Sequence, residues 1–335
     1  MSMLSEIAEQ PEVIGRLLES GRPAHRRIAE MAAGCTHVIV AARGTSDNAA
    51  RYAQYLWGAH NRLPVGLTTP SLFGPLDSPP ALDGALVVGI SQSGQSPDLV
   101  AVLSEARRQG RPTLVLTNEV DSPLAATADV VIDLCAGPER AIAATKSYTA
   151  QLAAVAMVSR ALAKSEEPEM ESLPGYLEEA LSAPAPPMLE ALTDADRCAV
   201  VGRGFHLSTA FEWALKLQEL TYMLAQPFSS ADFLHGPVAI VESGFPVLTV
   251  ATGGPTYAEM AELAGSMTER GATVITLTDE DGTPGENTIR IPRVAPWLSP
   301  IVAAPVIQRF AHDLTVARGL DPEAPRGLSK VTRTR

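Results

Sequence analysis

A turn rich in small hydroxyl side chains follows one of the most apolar runs of the sequence. The run ALVVGI (85–90) leads into SQSGQS (91–96), and Pro97 then opens a helical pattern. Serine hydroxyls, backbone N–H groups and the positive end of the helix dipole together suit a phosphate dianion without an arginine. Serine also favours turns and helix N-caps, so this segment alone leaves a purely structural interpretation open.

A second turn of the same kind follows the apolar run VIVAA (38–42). It reads Gly44-Thr45-Ser46-Asp47. Because the carboxyl ends of parallel strands meet at one edge of a sheet, we expect both turns at that edge, where α/β sheets bind ligands. The later segment ATGG (251–254), which corresponds to SQSG, has one hydroxyl and no glutamine. The sequence therefore predicts one phosphate site per chain, in the first half.

Three ionisable residues share one face of an otherwise apolar helical pattern at 210–223. Glu212, Lys216 and Glu219 are spaced i, i+4 and i+7 in AFEWALKLQELTYM. An exposed Glu–Lys pair would explain this spacing, but the apolar neighbours indicate a buried helix, where charged groups need partners or a catalytic role. His235, beside Gly236-Pro237, and Lys330 in the tail have simple structural interpretations when each is taken alone.

The elements that must position these residues occur twice along the chain. An early segment, HVIVAARGTSDNAARYAQYL, resembles a later one, RCAVVGRGFHLSTAFEWALKL, and Gly44 and Gly204 stand at corresponding turns. Further on, Gly110 and Gly271 each end a helical stretch before a strand pattern. A unit that appears twice in the same order predicts two similar domains.

Each repeat alternates continuous apolar runs with helical patterns, which predicts an α/β fold of doubly wound parallel sheets. In the first half we expect strands at 38–42, 85–90, 113–117 and 130–134, with helices near 47–59, 97–109 and 145–164. The proline-rich SAPAPP (182–187) is the best linker candidate, and a further helix is expected near 299–318. These patterns predict domains at 1–180, with an N-terminal helical segment, and at 188–318, followed by a tail at 319–335.

Composition excludes several classes of protein. The chain has 335 residues and a formal net charge of −12, which disfavours general nucleic-acid or anionic-membrane binding. No apolar run is long enough to span a bilayer, and the N-terminus lacks a signal-peptide pattern. The three cysteines match no metal or redox spacing. We therefore expect a cytoplasmic protein without a metal or cofactor.

Six motifs in a fixed order resemble the isomerase half of glucosamine-6-phosphate synthase, which consists of two sugar isomerase (SIS) domains. They are GTS, SQSGQSPD, ATKSYTAQL, E-x-ALKLQEL-x-Y, LHGP and PRGLSK. The similarity covers nearly the whole chain. It departs from the synthase pattern at Ala144, where that family usually has serine, and in the tail, which ends VTRTR.

The resemblance implies a role for each matching residue. Glu219 would move a proton between C1 and C2 of the open-chain sugar, and Lys216 would assist it. His235 would open the sugar ring from the neighbouring subunit of a homodimer, and Lys330 would form a Schiff base with the ketose carbonyl. Substrate and phosphate binding would fall to Thr45, Ser46, Ser91, Gln92, Ser93, Ser96 and Ile142.

The synthase also carries a glutaminase domain that opens with a cysteine, whereas this sequence begins MSMLSE. We therefore expect a glutamine-independent glucosamine-6-phosphate deaminase, which converts glucosamine 6-phosphate and water into fructose 6-phosphate and ammonia. A fructosamine 6-phosphate deglycase is the alternative within enzymes. A non-catalytic sugar-phosphate-binding regulator is the alternative of another class, although such proteins usually add a DNA-binding domain.

Overall fold

Two five-stranded parallel sheets form the framework of the protein. The computed structural model describes residues 2–21, 24–165, 168–183, 189–283 and 287–330. The first sheet contains β1 (His37–Ala41), β2 (Val65–Leu67), β3 (Ala85–Ser91), β4 (Thr113–Thr117) and β5 (Val130–Asp133). The second contains β6 (Arg197–Gly202), β7 (Leu224–Ser229), β8 (Pro246–Val250), β9 (Thr273–Thr278) and β10 (Thr288–Arg290).

The strand orders confirm the internal repeat. The first sheet has the order β2-β1-β3-β4-β5, and the second, read from its other end, has the matching order β7-β6-β8-β9-β10. Every pairing within both sheets is parallel. The predicted fold class, two tandem doubly wound α/β units, is therefore confirmed.

Helices connect and flank the strands as the alternating pattern predicts. Their bounds are α1 (Met3–Ala8), α2 (Gln10–Gly21), α3 (Ala24–Met31), α4 (Thr45–Asn61), α5 (Pro97–Arg108), α6 (Lys146–Ala163), α7 (Leu173–Ser182), α8 (Leu207–Thr221), α9 (Ser230–Leu234), α10 (Tyr257–Glu269) and α11 (Ser299–Ala317). Among the described residues, no helix is long and apolar enough to cross a membrane.

Burial explains which segments became strands. All seven residues of β3 and all five of β4 and β8 are buried, as continuous apolar runs in a sheet covered on both faces require. The sequence did not predict β2 and β7, which lie at sheet edges. β2 has only three residues. β7 contains Pro227, which an edge strand tolerates because the strand forms backbone hydrogen bonds with a neighbour on one side only.

The chain divides by its contacts into two compact units, each built on one sheet. The first-sheet unit comprises residues 12–139 and 146–171 and the tail from Ser329. The second-sheet unit comprises the N-terminal residues up to Pro11, residues 140–145 and residues 172–328. The predicted boundaries at 180, 188 and 319 stay predictions. The linker candidate at 182–187 begins at the end of α7, and its residues from 184 lie outside the described part of the chain.

Candidate functional site

The turn after β3 is braced by the hydroxyl groups of its own serines. Ser91 Oγ accepts from the Gly94 N–H at 3.1 Å, and Ser93 Oγ accepts from the Gln95 N–H at 3.3 Å. Ser96 occupies the N-cap position of α5, where its side chain makes no capping hydrogen bond within the described ranges. A hydroxyl that accepts one hydrogen bond keeps its own O–H to donate. The turn and capping roles of serine therefore leave these groups able to donate to an anion.

Gly94 allows this turn to pack against the loop that follows β4. Its φ is +60°, in the left-handed region, and a Cβ added there would lie 2.0 Å from Ser122 Oγ. The Gly94 carbonyl also accepts from the Leu124 N–H at 3.1 Å. Backbone shape and close packing both require glycine here.

We expect Gly94→Ala to destabilise the protein by roughly 1–3 kcal/mol, because left-handed strain and displacement of Ser122 both have to be accommodated. Chemical denaturation measures this loss. Gly110→Ala, past the other end of α5, is the matched control: its φ is +69°, but no heavy atom lies within 4 Å of the added Cβ. Equal losses in the two variants would contradict the packing role of Gly94.

The structure places the turn after β1 beside the turn after β3. Arg43 Nε lies 2.8 Å from Asp98 Oδ2, so an ion pair links the residue before Gly44 to the first turn of α5. Thr45 begins α4, and the buried Ser46 hydroxyl accepts from Gln151 Nε2 at 2.9 Å. The sequence prediction did not include Arg43 or Asp98, whose pairing joins residues far apart in the chain.

The turn after β8, which corresponds to the serine turn after β3, is contacted by the carboxylate of Asp279. Asp279 Oδ1 accepts from the Gly253 N–H at 2.6 Å, and a Cβ on Gly253 would lie 2.6 Å from Glu280 Oε1. Burial raises the pKa of Asp279 above its ordinary value, although the Gly253 N–H acts in the opposite direction. Asp279 therefore occupies a backbone N–H that a phosphate at this turn would need.

Helix α8 holds a buried cluster of three ionisable residues, and we call it the α8 triad. Lys216 Nζ hydrogen-bonds Glu219 Oε2 and lies 3.5 Å from Glu212 Oε1. The side chains of Lys216 and Glu212 are fully buried, whereas that of Glu219 is 23% exposed. Burial alone would lower the pKa of Lys216, but the charges of Glu219 and Glu212 and their hydrogen bonds raise it overall.

The geometry of the α8 triad separates the roles of its two carboxylates. Lys216 stays an ammonium because two carboxylates surround it. Part of the Glu219 side chain reaches solvent, whereas the Glu212 side chain does not. A carboxylate that is held by a cation and still reachable is suited to accept and return a proton.

His235 and Ile142 lie elsewhere in the second-sheet unit. His235 is exposed and ends α9, where its N–H donates to the carbonyls of Ala231 and Asp232. Ile142 is half-buried and follows Ala141, whose N–H donates to the buried Glu6 carboxylate at 3.3 Å. The structure therefore unites Lys216 with Glu219 on one helix face and places His235 on another element.

Lys330 forms an ion pair that the sequence did not predict. Its Nζ lies 2.6 Å from Glu139 Oε2, and the Glu139 side chain is fully buried. Glu139 stands in the loop between β5 and α6, in the segment GPERAI, which offers no periodicity from which a role could have been inferred. Its only sequence signal is a charge shortly before the ATKSYTAQL motif.

A model of the SIS domain matches residues 32–160 and 191–290, ranges that include all ten strands described above. The chain belongs to the SIS-domain family. The two matches correspond to the two repeats, so the family agrees with the resemblance drawn from the motifs.

Relatives in this family include a glutamine–fructose-6-phosphate aminotransferase (isomerizing) of Thermococcus kodakarensis, 34% identical over 98% of this chain. The chain spans 57% of that relative's length, so it is homologous to the isomerase half only. A crystal structure from Silicibacter pomeroyi, described provisionally as a phosphosugar isomerase, is 34% identical with a TM-score of 0.87 and covers 96% of this chain and 99% of its own. A glucosamine-6-phosphate deaminase from Thermotoga maritima shares the fold, with 19% identity, a TM-score of 0.79 and full coverage of both chains.

Proposed function

We propose that the protein is an SIS-type deaminase that converts glucosamine 6-phosphate and water into fructose 6-phosphate and ammonia. The observation that carries this proposal is the α8 triad, a reachable carboxylate held against a buried ammonium. Glu219 is the proposed base, and it transfers a proton between C2 and C1 of the open-chain sugar. Lys216 stabilises the charge that develops beside it.

The proton transfer explains how ammonia leaves. Removing the C2 proton of the open-chain amino aldose gives an enolamine, and returning a proton to C1 gives a ketimine at C2. Water then adds to this C=N bond, and the nitrogen departs as ammonia while C2 becomes the ketose carbonyl. Each step needs only proton carriers and water, and Glu219 supplies the carrier for the first two. Following the family resemblance, Lys330 is proposed to hold the ketose through a Schiff base with that carbonyl.

The serine turn after β3 is the proposed binding site for the phosphate group of the sugar. Ser91, Ser93 and Ser96 present hydroxyls at the N-terminus of the 12-residue helix α5, whose dipole favours an anion. Gln92, Thr45 and Ser46 are proposed to complete the contacts, since the Arg43–Asp98 ion pair holds the two turns side by side. Asp279, which occupies a backbone N–H of the second-sheet turn, supports a single phosphate site per chain.

The Thermotoga maritima glucosamine-6-phosphate deaminase, which shares this fold, supports the proposal by showing that the fold can carry such a reaction. An ammonia-release assay tests the proposal with glucosamine 6-phosphate, its N-acetyl form and a fructosamine 6-phosphate as separate substrates. We expect ammonia from the first and none from the N-acetyl form, whose nitrogen is acylated. Release of an amine from the fructosamine 6-phosphate alone would identify a deglycase instead. Binding of all three without turnover would indicate the regulator.

We expect Ser93→Ala to raise KM for the phosphosugar about tenfold to a hundredfold, the effect of losing one hydrogen bond to a charged group of roughly 1.5–3 kcal/mol. The change removes a single oxygen from a half-exposed turn, so the melting temperature should stay close to that of the unaltered protein. Steady-state kinetics measure the effect. An unchanged KM would remove Ser93 from the phosphate site.

We further propose that the protein works as a homodimer in which His235 enters the neighbouring subunit's site to open the sugar ring. Its exposure on the second-sheet unit is compatible with this role. We expect that mixing inactive Glu219→Gln protein with inactive His235→Ala protein, under conditions of subunit exchange, restores up to about a quarter of the activity, because about half of the dimers are mixed and each mixed dimer has one intact site of two. Subunit exchange is monitored separately by a fluorescent label. Proven exchange without recovery would show that His235 serves its own subunit.

A further inference from the structure

The carboxylate of Glu139 is fixed at the carboxyl edge of the first sheet. Glu139 follows β5 in the chain, and the loop that carries it is bound to Asn118, which follows β4. Asn118 Oδ1 accepts from the Ala136 N–H at 2.9 Å, and its Nδ2 donates to the Gly137 carbonyl at 2.9 Å. The Asn118 N–H in turn donates to the carbonyl of Gln92 at 3.2 Å. Hydrogen bonds thus connect the serine turn to the loop of Glu139.

Both oxygens of the Glu139 carboxylate are held by a neighbouring residue. The Ser147 N–H donates to Oε1 at 3.0 Å and the Ser147 hydroxyl donates to Oε2 at 2.8 Å. Burial acts to raise the pKa of Glu139, but Lys330 and Ser147 together hold it below the ordinary value. Glu139 is therefore a carboxylate despite its complete burial, and it forms an ion pair with Lys330 at 2.6 Å.

An ammonium cannot attack a carbonyl, because its nitrogen has no lone pair. If Lys330 forms a Schiff base, as the proposed function takes from the family resemblance, its Nζ must first lose a proton. Glu139 Oε2, at 2.6 Å, is within proton-transfer distance of that nitrogen. We propose that Glu139 is the proton relay of Lys330, an assignment that rests on the proposed function for the identity of the sugar.

The relay balances protons and charge through the whole step. Glu139 takes one proton from the Lys330 ammonium, and the freed lone pair bonds to the ketose carbonyl carbon. The carbonyl oxygen receives that proton and a second one from the same nitrogen, and it leaves as water. The product is an iminium cation, and Glu139 is again a carboxylate beside it. Ser147 keeps the carboxylate oriented throughout as a positioning residue.

The partial exposure of Lys330 agrees with its proposed attack on the sugar. The Lys330 side chain is 23% exposed, whereas the Glu139 side chain is fully buried. Lys330 is therefore the residue of the pair whose side chain is partly open to solvent, whereas Glu139 is not.

Borohydride trapping on the full chain tests the relay. Fructose 6-phosphate and borohydride should convert Lys330 to a secondary amine, with a mass gain of the sugar phosphate less one oxygen atom. We expect Glu139→Gln to slow this trapping about a hundredfold, as loss of a positioned proton carrier does, and Glu139→Asp to retain part of the rate. Added formate should accelerate trapping in Glu139→Ala, whose shortened side chain leaves space for it, which a purely structural role would not produce. Lys330→Ala is the control for the site of labelling.

Each outcome decides a different point. Trapping in Glu139→Gln that equals or exceeds the unaltered rate would overturn the relay, since the carboxylate would then only restrain the lysine. No adduct on Lys330, in a protein that still releases ammonia, would also overturn the relay and would leave the proposed deamination standing without the Schiff base. An adduct that depends on Glu139, in a protein that releases no ammonia, would retain the relay and reject the deaminase. Should Glu139→Gln fold poorly, Ser147→Ala keeps the carboxylate and should slow trapping by a smaller factor.

Discussion

The substitution Glu219→Gln is expected to lower kcat about a thousandfold, the effect of removing a general base together with its charge. The amide has the size of the carboxylate and can still contact Lys216, and Glu212 remains at 3.5 Å as a counter-charge. The fold should therefore persist while proton transfer fails. Because the phosphate turn lies on the other unit's sheet, KM should change far less than kcat.

Solvent deuterium provides the decisive measurement for Glu219. In heavy water, fructose 6-phosphate formed by the unaltered protein should carry deuterium at C1, since the carboxyl proton exchanges with solvent before its return. Glu219→Gln should lose turnover and label together. Glu262→Gln makes the same chemical change at an exposed position of α10 in the same unit and should keep both. Unaltered turnover with C1 label in Glu219→Gln would assign the base to another residue.

The parts of this molecule that were predictable from sequence are those governed by local pattern. β3 and β4 were predicted as apolar runs because they are buried on both faces, and the α8 triad follows from helical spacing. Edge strand β7 escaped prediction because one side of it lacks a partner strand, which removes the demand for a continuous apolar run.

Contacts between distant segments were beyond the reach of such patterns. Arg43, after β1, forms an ion pair with Asp98 in the first turn of α5, and Glu139 forms one with Lys330 near the C-terminus. Their pairing is set by the topology of the sheet and the path of the tail, neither of which leaves a periodic trace in the sequence. The motif resemblance located Lys330 but did not supply its counter-ion, because a role carried over from a family comes without the geometry around it.

The substitution Lys216→Met is expected to destabilise the protein by about 3–5 kcal/mol, the typical loss when one partner of a buried ion pair is removed. The methionine side chain would fill the volume of the lysine stem but would leave the fully buried Glu212 carboxylate without the cation at 3.5 Å. Activity should also fall, since Glu219 would lose the hydrogen bond from Lys216 that positions it. Urea denaturation monitored by circular dichroism measures the loss.

The origin of this loss can be separated from simple repacking by a second substitution and by pH. The double variant Lys216→Met, Glu212→Gln also removes the charge of the buried carboxylate and should recover part of the stability, whereas a packing defect would persist or grow. The raised folded-state pKa of Lys216 means that its stabilising charge is fully present below the ordinary lysine value of 10.5 and is lost as the pH rises through the folded value. The difference in stability between the unaltered protein and Lys216→Met should therefore narrow above about pH 10.5. A difference that is constant with pH, together with no recovery in the double variant, would show that the lysine acts through its shape and not its charge.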